Sequence, residues 1–209
     1  QSKTTMVETF VSNGTIHEKK ENAGISHLLE HVVTEGWKKC GSKPCTDYWK
    51  KKGVLTNAST GLTNVRYYME GLQRYTLEMI DYITSISTNP IISKSRTNKE
   101  KKAVTNELLI HSSQPFTELY DLTNKLLFKI DGLIHQDDTK LQIKNLKHLN
   151  EDTLRLWAKR FYGAGNIVII VTGNFNKSKV ISLLKRKLKK TNTVRVIPKF
   201  SDIFIQGME

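Results

Sequence analysis

Apolar and polar positions recur along the chain in patterns that divide it into elements before any chemistry is considered. Residues 4–17, beginning TTMVETFV, are rich in β-formers and reach a turn signal at Asn13-Gly14, which predicts a strand or the arm of a hairpin. A helix is expected over about 23–34 and a second over about 43–52, closed by Gly53. VLTNAST (54–60) and NVRYYMEGL (64–72) read as consecutive strands on either side of Gly61, because Val, Thr and Tyr dominate them. From 75 to 87, Leu77, Ile80, Ile83 and Ile86 fall at helical spacing, and Pro90 closes that helix. A long charged helix at 93–112 stops before Pro115, and another covers 116–129. Asn150 opens NEDTLRLWAKRFY as a capped helix with acidic residues at its positive end. NIVIIVTGN (166–174), a continuous apolar run of strand length, predicts a central buried strand. A last helix over 176–190 is followed by an extended stretch, 192–209, expected as a strap or the start of a linker. This order predicts one α+β domain over 1–191 with helices packed on one side of its β-elements.

Composition narrows the class. The 209 residues are 38% hydrophobic and 25% charged, as in an ordinary globular protein. No apolar run reaches the roughly 18 residues of a membrane span. The net charge is +13, with lysines in WKKKG, NKEKK and LLKRKLKK, which read first as solvated helix faces. Attraction to acidic peptides is a second reading. Nucleic acid is not expected as a partner, because no paired CxxC, RNP stretch or helix-turn-helix signature accompanies the charge. Cys40 and Cys45 have the spacing of a local disulfide or a weak metal pair, but two cysteines in the whole chain favour free thiols in a reducing, intracellular compartment. Mitochondrial matrix, cytosol and a viral compartment are equally compatible with that.

The chemistry concentrates in NAGISHLLEHVVTEG, residues 22–36. Positions three and four apart share a helix face, so His27, Glu30 and His31 project together. Two imidazoles four residues apart can supply two nitrogens to a zinc ion, and zinc in catalysis takes three protein ligands. Glu30 then serves as general base toward metal-bound water, in the H-x-x-E-H order of the inverzincins. Two satisfied surface histidines are the bland alternative.

The sequence resembles the pitrilysin (insulinase-type) metallopeptidases, which include the mitochondrial processing peptidases. NAGISHLLEH is similar to the family's Gly-x-x-His-x-x-Glu-His lead-in, LTNASTGLTNVRYYMEGL to its Asn-Ala-x-Thr strand with a Tyr-rich partner, and RFYGAGNIVIIVTGNF to its late helix, loop and strand. The resemblance implies a two-layer α+β sandwich, a mainly antiparallel mixed sheet with helices on one side, as in the processing peptidases and S-ribosylhomocysteine lyase. It implies Glu107, about 75 residues past His31, as the third ligand to Zn2+, with Glu100 in support behind the ligands. It also implies that Asn57 and Ala58 line a cleft where an extended peptide adds as a strand. The function it implies is a zinc-dependent endopeptidase acting on peptide or protein substrates. The alternative is a non-catalytic scaffold subunit of the same fold. Active relatives assemble four such domains, so a second homologous domain or subunit is the expected partner. The Arg and Tyr that complete many of those sites from another domain have no match among these residues. TEGWKKC also departs from the family, lacking the Gly-Thr or Gly-Ser that usually follows the motif.

Overall fold

The computed structural model describes residues 3–41, 43–189 and 191. Four strands form its sheet: β1 (Thr4–Val11), β2 (Leu55–Thr60), β3 (Val65–Leu72) and β4 (Ile167–Gly173), in the order β2-β3-β1-β4. Every pairing between them is antiparallel. The two inner strands show the period-two alternation of a sheet with one covered face. Thr5, Val7, Thr9 and Val11 of β1 are buried with Val65, Tyr67 and Met69 of β3, while the residues between them are partly or fully exposed.

Helix α1 (Ile25–Thr34) and α2 (Cys45–Lys50) lie between β1 and β2 in the chain. After β3 come α3 (Thr76–Thr88), α4 (Lys94–Ser112), α5 (Thr117–Leu127), α6 (Asp131–Ile134), α7 (Thr139–Leu146) and α8 (Glu151–Phe161). Helix α9 (Lys177–Leu188) follows β4. Helix α3 packs on β1 and β3 and in turn carries α9, and α1 packs on α4. Leu28, Leu29, Val32, Val33, Ile80 and Ile83 are wholly buried in the resulting core. Each such side chain contributes about 1.5–3 kcal/mol relative to exposure.

Two expectations are corrected and one alternative is decided. The apolar run 166–174 is not a central buried strand: among the described residues β4 lies at a sheet edge, and Val168 and Ile170 are 58% and 39% exposed. Continuous hydrophobicity records apolar residues on both faces of a strand, not how many neighbours it has. Of the two readings of 4–17, a strand or a hairpin arm, the strand is the one observed, as β1. Asn13-Gly14 leads into short 3-10 turns at Thr15–His17 and Lys20–Asn22, and Thr15 and Ile16 donate backbone hydrogen bonds to the Gly61 and Leu62 carbonyls. Gly14 is required there, since a Cβ would stand 2.3 Å from the Leu62 oxygen. Finally, Cys40 and Cys45 are not free thiols but a disulfide, because the turn between α1 and α2 brings their Cα atoms to 5.2 Å.

The departure at TEGWKKC has a packing consequence. Trp37 stacks on Trp49 at 5.4 Å and meets Tyr48 and Tyr82 edge-on, forming an aromatic cluster beneath the α1–α2 connection. Tyr82 also donates its hydroxyl to the Thr34 carbonyl at 2.7 Å, tying α3 to the C-terminal end of α1. Helices α6 and α7 have no counterpart in the sequence-based reading. The stretch 192–209 lies outside the described residues. Among the described residues no helix is long and apolar enough to cross a membrane.

Candidate metal centre

Helix α1 is amphipathic, and its apolar stripe of Leu28, Leu29, Val32 and Val33 is driven into the core. That orientation turns His27, Glu30 and His31 together toward α4. Helix α4 begins at the Ser93 cap, whose hydroxyl accepts from the Arg96 N–H. It presents Thr97, Glu100, Val104 and Leu108 as its buried stripe, with Glu107 at the stripe's margin. Two helices far apart in sequence therefore bring one side chain set to one place.

The two imidazoles and the later carboxylate converge. His27 Nε2 and His31 Nε2 each lie 3.3 Å from Glu107 Oε2, and the three donor atoms all fall within 4.8 Å of one another. Two ligands on a tetrahedral zinc at about 2.1 Å stand roughly 3.4 Å apart, so both imidazole–carboxylate separations match an edge of that tetrahedron. Burial, reinforced by the neighbouring His31, pulls His27 down to about 4, which keeps its imidazole neutral and able to donate a lone pair. Two imidazole nitrogens and a carboxylate suit zinc. These residues fit the ion.

Glu100 stands behind His31, its Oε2 3.5 Å from Nδ1. Burial pulls His31 down, yet the Glu100 contact and the surrounding carboxylates outweigh it, and the net shift is upward. Glu100 itself is only 7% exposed. Burial pushes its carboxyl up, but His31 and Lys99 more than compensate and hold it below the usual range. The arrangement leaves His31 Nε2 as the nitrogen facing Glu107.

Glu30 is 6% exposed and accepts a 2.6 Å hydrogen bond from Thr60 Oγ1 at the end of β2. Burial raises its carboxyl above the ordinary carboxylate range, opposed by Thr60 and His31 and assisted by Glu107. Sequence reasoning missed Thr60. Its face of β2 was readable by alternation from Ala58, but its pairing with α1 is a tertiary contact with no local signal.

A cavity of about 1240 Å³ opens over these groups. Asn57 and Ala58 both line it, on β2, the edge strand among the described residues. Ala58 shares the inward face with Thr60. Asn57 is exposed on the opposite face, where its amide donates to the Tyr68 hydroxyl at 3.2 Å and its Oδ1 accepts from the Ala58 N–H at 2.8 Å.

Residues 1–131 match the family described as insulinase (peptidase family M16). The chain belongs to that family. Among curated relatives, an uncharacterized zinc protease of Bacillus subtilis, YmxG, is 24% identical over 176 residues, covering 82% of this chain and 42% of its own length. A probable mitochondrial-processing peptidase β subunit of Arabidopsis thaliana is 22% identical over 192 residues, covering 92% of this chain and 36% of its own. The chain therefore spans less than half the length of these relatives. Among solved structures, a Helicobacter pylori protease superposes with TM-score 0.81 at 16% identity, over 98% of this chain and half of that one. Pitrilysin superposes with TM-score 0.75 at 17% identity, over 95% of this chain and 22% of that one. The M16 fold is thus present over nearly the whole chain.

Proposed function

We propose that this chain is the zinc-binding domain of an M16 endopeptidase, with His27, His31 and Glu107 as ligands and Glu30 as general base. The observation that carries the reading is the convergence of two Nε2 atoms on one Glu107 oxygen, at 3.3 Å each, beside a buried carboxylate on the same helix face. The chemistry a zinc ion supplies at such a place is Lewis acidity toward a water and a scissile carbonyl.

The chain's own groups account for the rest. Glu30 takes the proton of the attacking water at its carboxylate and returns it to the leaving amine nitrogen. Its raised proton affinity suits both transfers, and Thr60 holds the carboxylate in place. Glu100 fixes the ring of His31 through Nδ1, the supporting role that the family resemblance implies. An extended peptide enters along β2, whose outer edge is unpaired among the described residues, and adds as a further strand beside Asn57 and Ala58. Pairing at Ala58 displaces the Asn57 side chain from the Ala58 N–H, so Asn57 shields this edge until substrate arrives. A homologous second domain or subunit closes the cleft from the other side, in keeping with the part of the relatives' length that this chain spans.

The test uses the full-length protein, with its partner half, and a quenched-fluorescent peptide library. Glu30→Gln is expected to retain zinc and lose cleavage by at least about 100-fold, the scale of general acid–base catalysis. Cleavage persisting in Glu30→Gln overturns the mechanism. Wild-type protein that holds zinc and cleaves nothing with its partner present favours the scaffold reading.

A further inference from the structure

Helix α1 carries both imidazoles and Glu30, yet it has no cap of its own. Gly24 sits at its N-cap with φ +93° and offers no side-chain acceptor. The acceptor comes from outside the helix. Glu18 lies in the preceding loop, 5% exposed, and uses both carboxylate oxygens: the Gly24 N–H donates to Oε2 at 2.7 Å and the Ser26 N–H to Oε1 at 2.8 Å. Ser26 is the residue immediately before His27.

The clamp is itself held from behind. Ser26 Oγ donates to Asn13 Oδ1 at 3.3 Å, and Trp157 Nε1 of α8 donates to the same oxygen at 3.0 Å. On the other side Asn145 of α7 donates to the Lys20 and Ala23 carbonyls at 2.9 and 3.2 Å, fixing the loop that carries Glu18. Gln142 of α7 packs against Gly24, its Cβ 3.3 Å from where a Gly24 Cβ would lie. An ordinary Ser or Asp at the N-cap satisfies an exposed helix end without a buried charge. Ionised carboxylates are unfavourable in such surroundings, and burial pushes Glu18 up to about 7. A two-point grip on N-cap and N2 does what a single cap does not: it fixes the helix's rotation and its position along its own axis. Those two coordinates decide where the rings of His27 and His31 point.

We propose that Glu18 is a positioning residue for the metal centre, clamping the first turn of α1 so that both Nε2 atoms meet Glu107 in register. The proposal rests on the zinc reading above and adds a residue outside the ligand set. Its role is geometric, through Gly24 and Ser26, and it touches neither metal nor substrate.

The experiment is a zinc-affinity titration on the full chain, by competition with a chelating dye at a temperature well below melting, with circular dichroism confirming the folded state. Glu18→Gln, whose amide group must turn an N–H toward one of the two donors, is expected to bind zinc roughly 10- to 100-fold more weakly, the range seen when support behind metal ligands is removed. Glu18→Asp keeps the charge but reaches one N–H, and should show a smaller, several-fold loss. Leu183→Ala in α9 is the control for general destabilisation, and should lower the melting temperature with zinc affinity held within about 2-fold. Hydrogen exchange on the zinc-free proteins should show faster exchange over residues 24–31 in Glu18→Gln but not in Leu183→Ala. Zinc affinity unchanged in both Glu18 variants overturns the proposal, as does an equal loss in Leu183→Ala. If Glu18→Gln does not fold, Glu18→Asp alone decides. Wild-type protein that binds no zinc defeats the metal reading instead, a separate outcome.

Discussion

Removing the carboxylate of Glu18 should change how stability depends on pH, by an amount the structure fixes. The group is held by the Gly24 and Ser26 N–H groups, and burial, acting against those bonds, moves it from 4.5 up to about 7. A folded-state value above the unfolded one means that the native chain keeps a proton which the unfolded chain releases. The stability this group contributes is therefore complete below pH 4.5 and is lost as pH rises through 7. At 1.36 kcal/mol per pH unit, the loss amounts to about 3 kcal/mol, a large part of the 5–15 kcal/mol typical of a domain. Glu18→Gln does not titrate. Urea unfolding of both proteins from pH 4 to pH 8 should show wild type losing about 3 kcal/mol relative to the variant, mostly between pH 5 and 7, with unchanged m-values. Every other titrating group cancels in the comparison. Parallel curves, agreeing within about 0.5 kcal/mol after a constant offset, would refute the assignment of a buried titrating carboxyl to this loop.

Thr60→Val removes the hydrogen bond that favours ionised Glu30. The acidic limb of kcat/KM should move upward by about one pH unit, so that activity is lost sooner as pH falls, and an unmoved limb counts against the pairing. Glu100→Gln loses the charge behind His31 and should weaken zinc binding roughly 10- to 100-fold with the fold intact by circular dichroism. Gly14→Ala places a methyl group 2.3 Å from the Leu62 oxygen and is expected to cost about 1–3 kcal/mol in urea unfolding.

What the sequence revealed depended on whether the information was local. The helices with apolar stripes were readable because one face alternates with solvent, as in α1, α3 and α8. Helix α7 was not, because its buried positions are Thr139, Gln142, Asn145 and Leu146, a mostly polar stripe. Only Leu146 of these joins the apolar core; Gln142 donates to the His135 and Gln136 carbonyls and Asn145 to the carbonyls before α1, and hydrophobic periodicity does not register such a face. The converse misplaced β4: its apolar positions Val168 and Ile170, exposed among the described residues, mimic a buried strand. At the site, spacing put His27, Glu30 and His31 on one face, and the family resemblance pointed to Glu107, Glu100, Asn57 and Ala58. Thr60, the Thr of the Asn-Ala-x-Thr strand, and Glu18 escaped notice because each acts across the fold or through backbone, where residue type does not name the partner. The cysteines illustrate the limit of composition: their number suggested free thiols, whereas the turn geometry brings them together.

The central claim is that His27, His31 and Glu107 close around one zinc ion. Anomalous diffraction at the zinc edge, from crystals of the full chain grown with zinc, tests it most directly. One peak per chain is expected, bonded at about 2.0–2.2 Å to Nε2 of both histidines and to Glu107, with Nδ1 of His31 turned to Glu100. A peak bound through His31 Nδ1, a peak elsewhere, or none at these three residues contradicts the account.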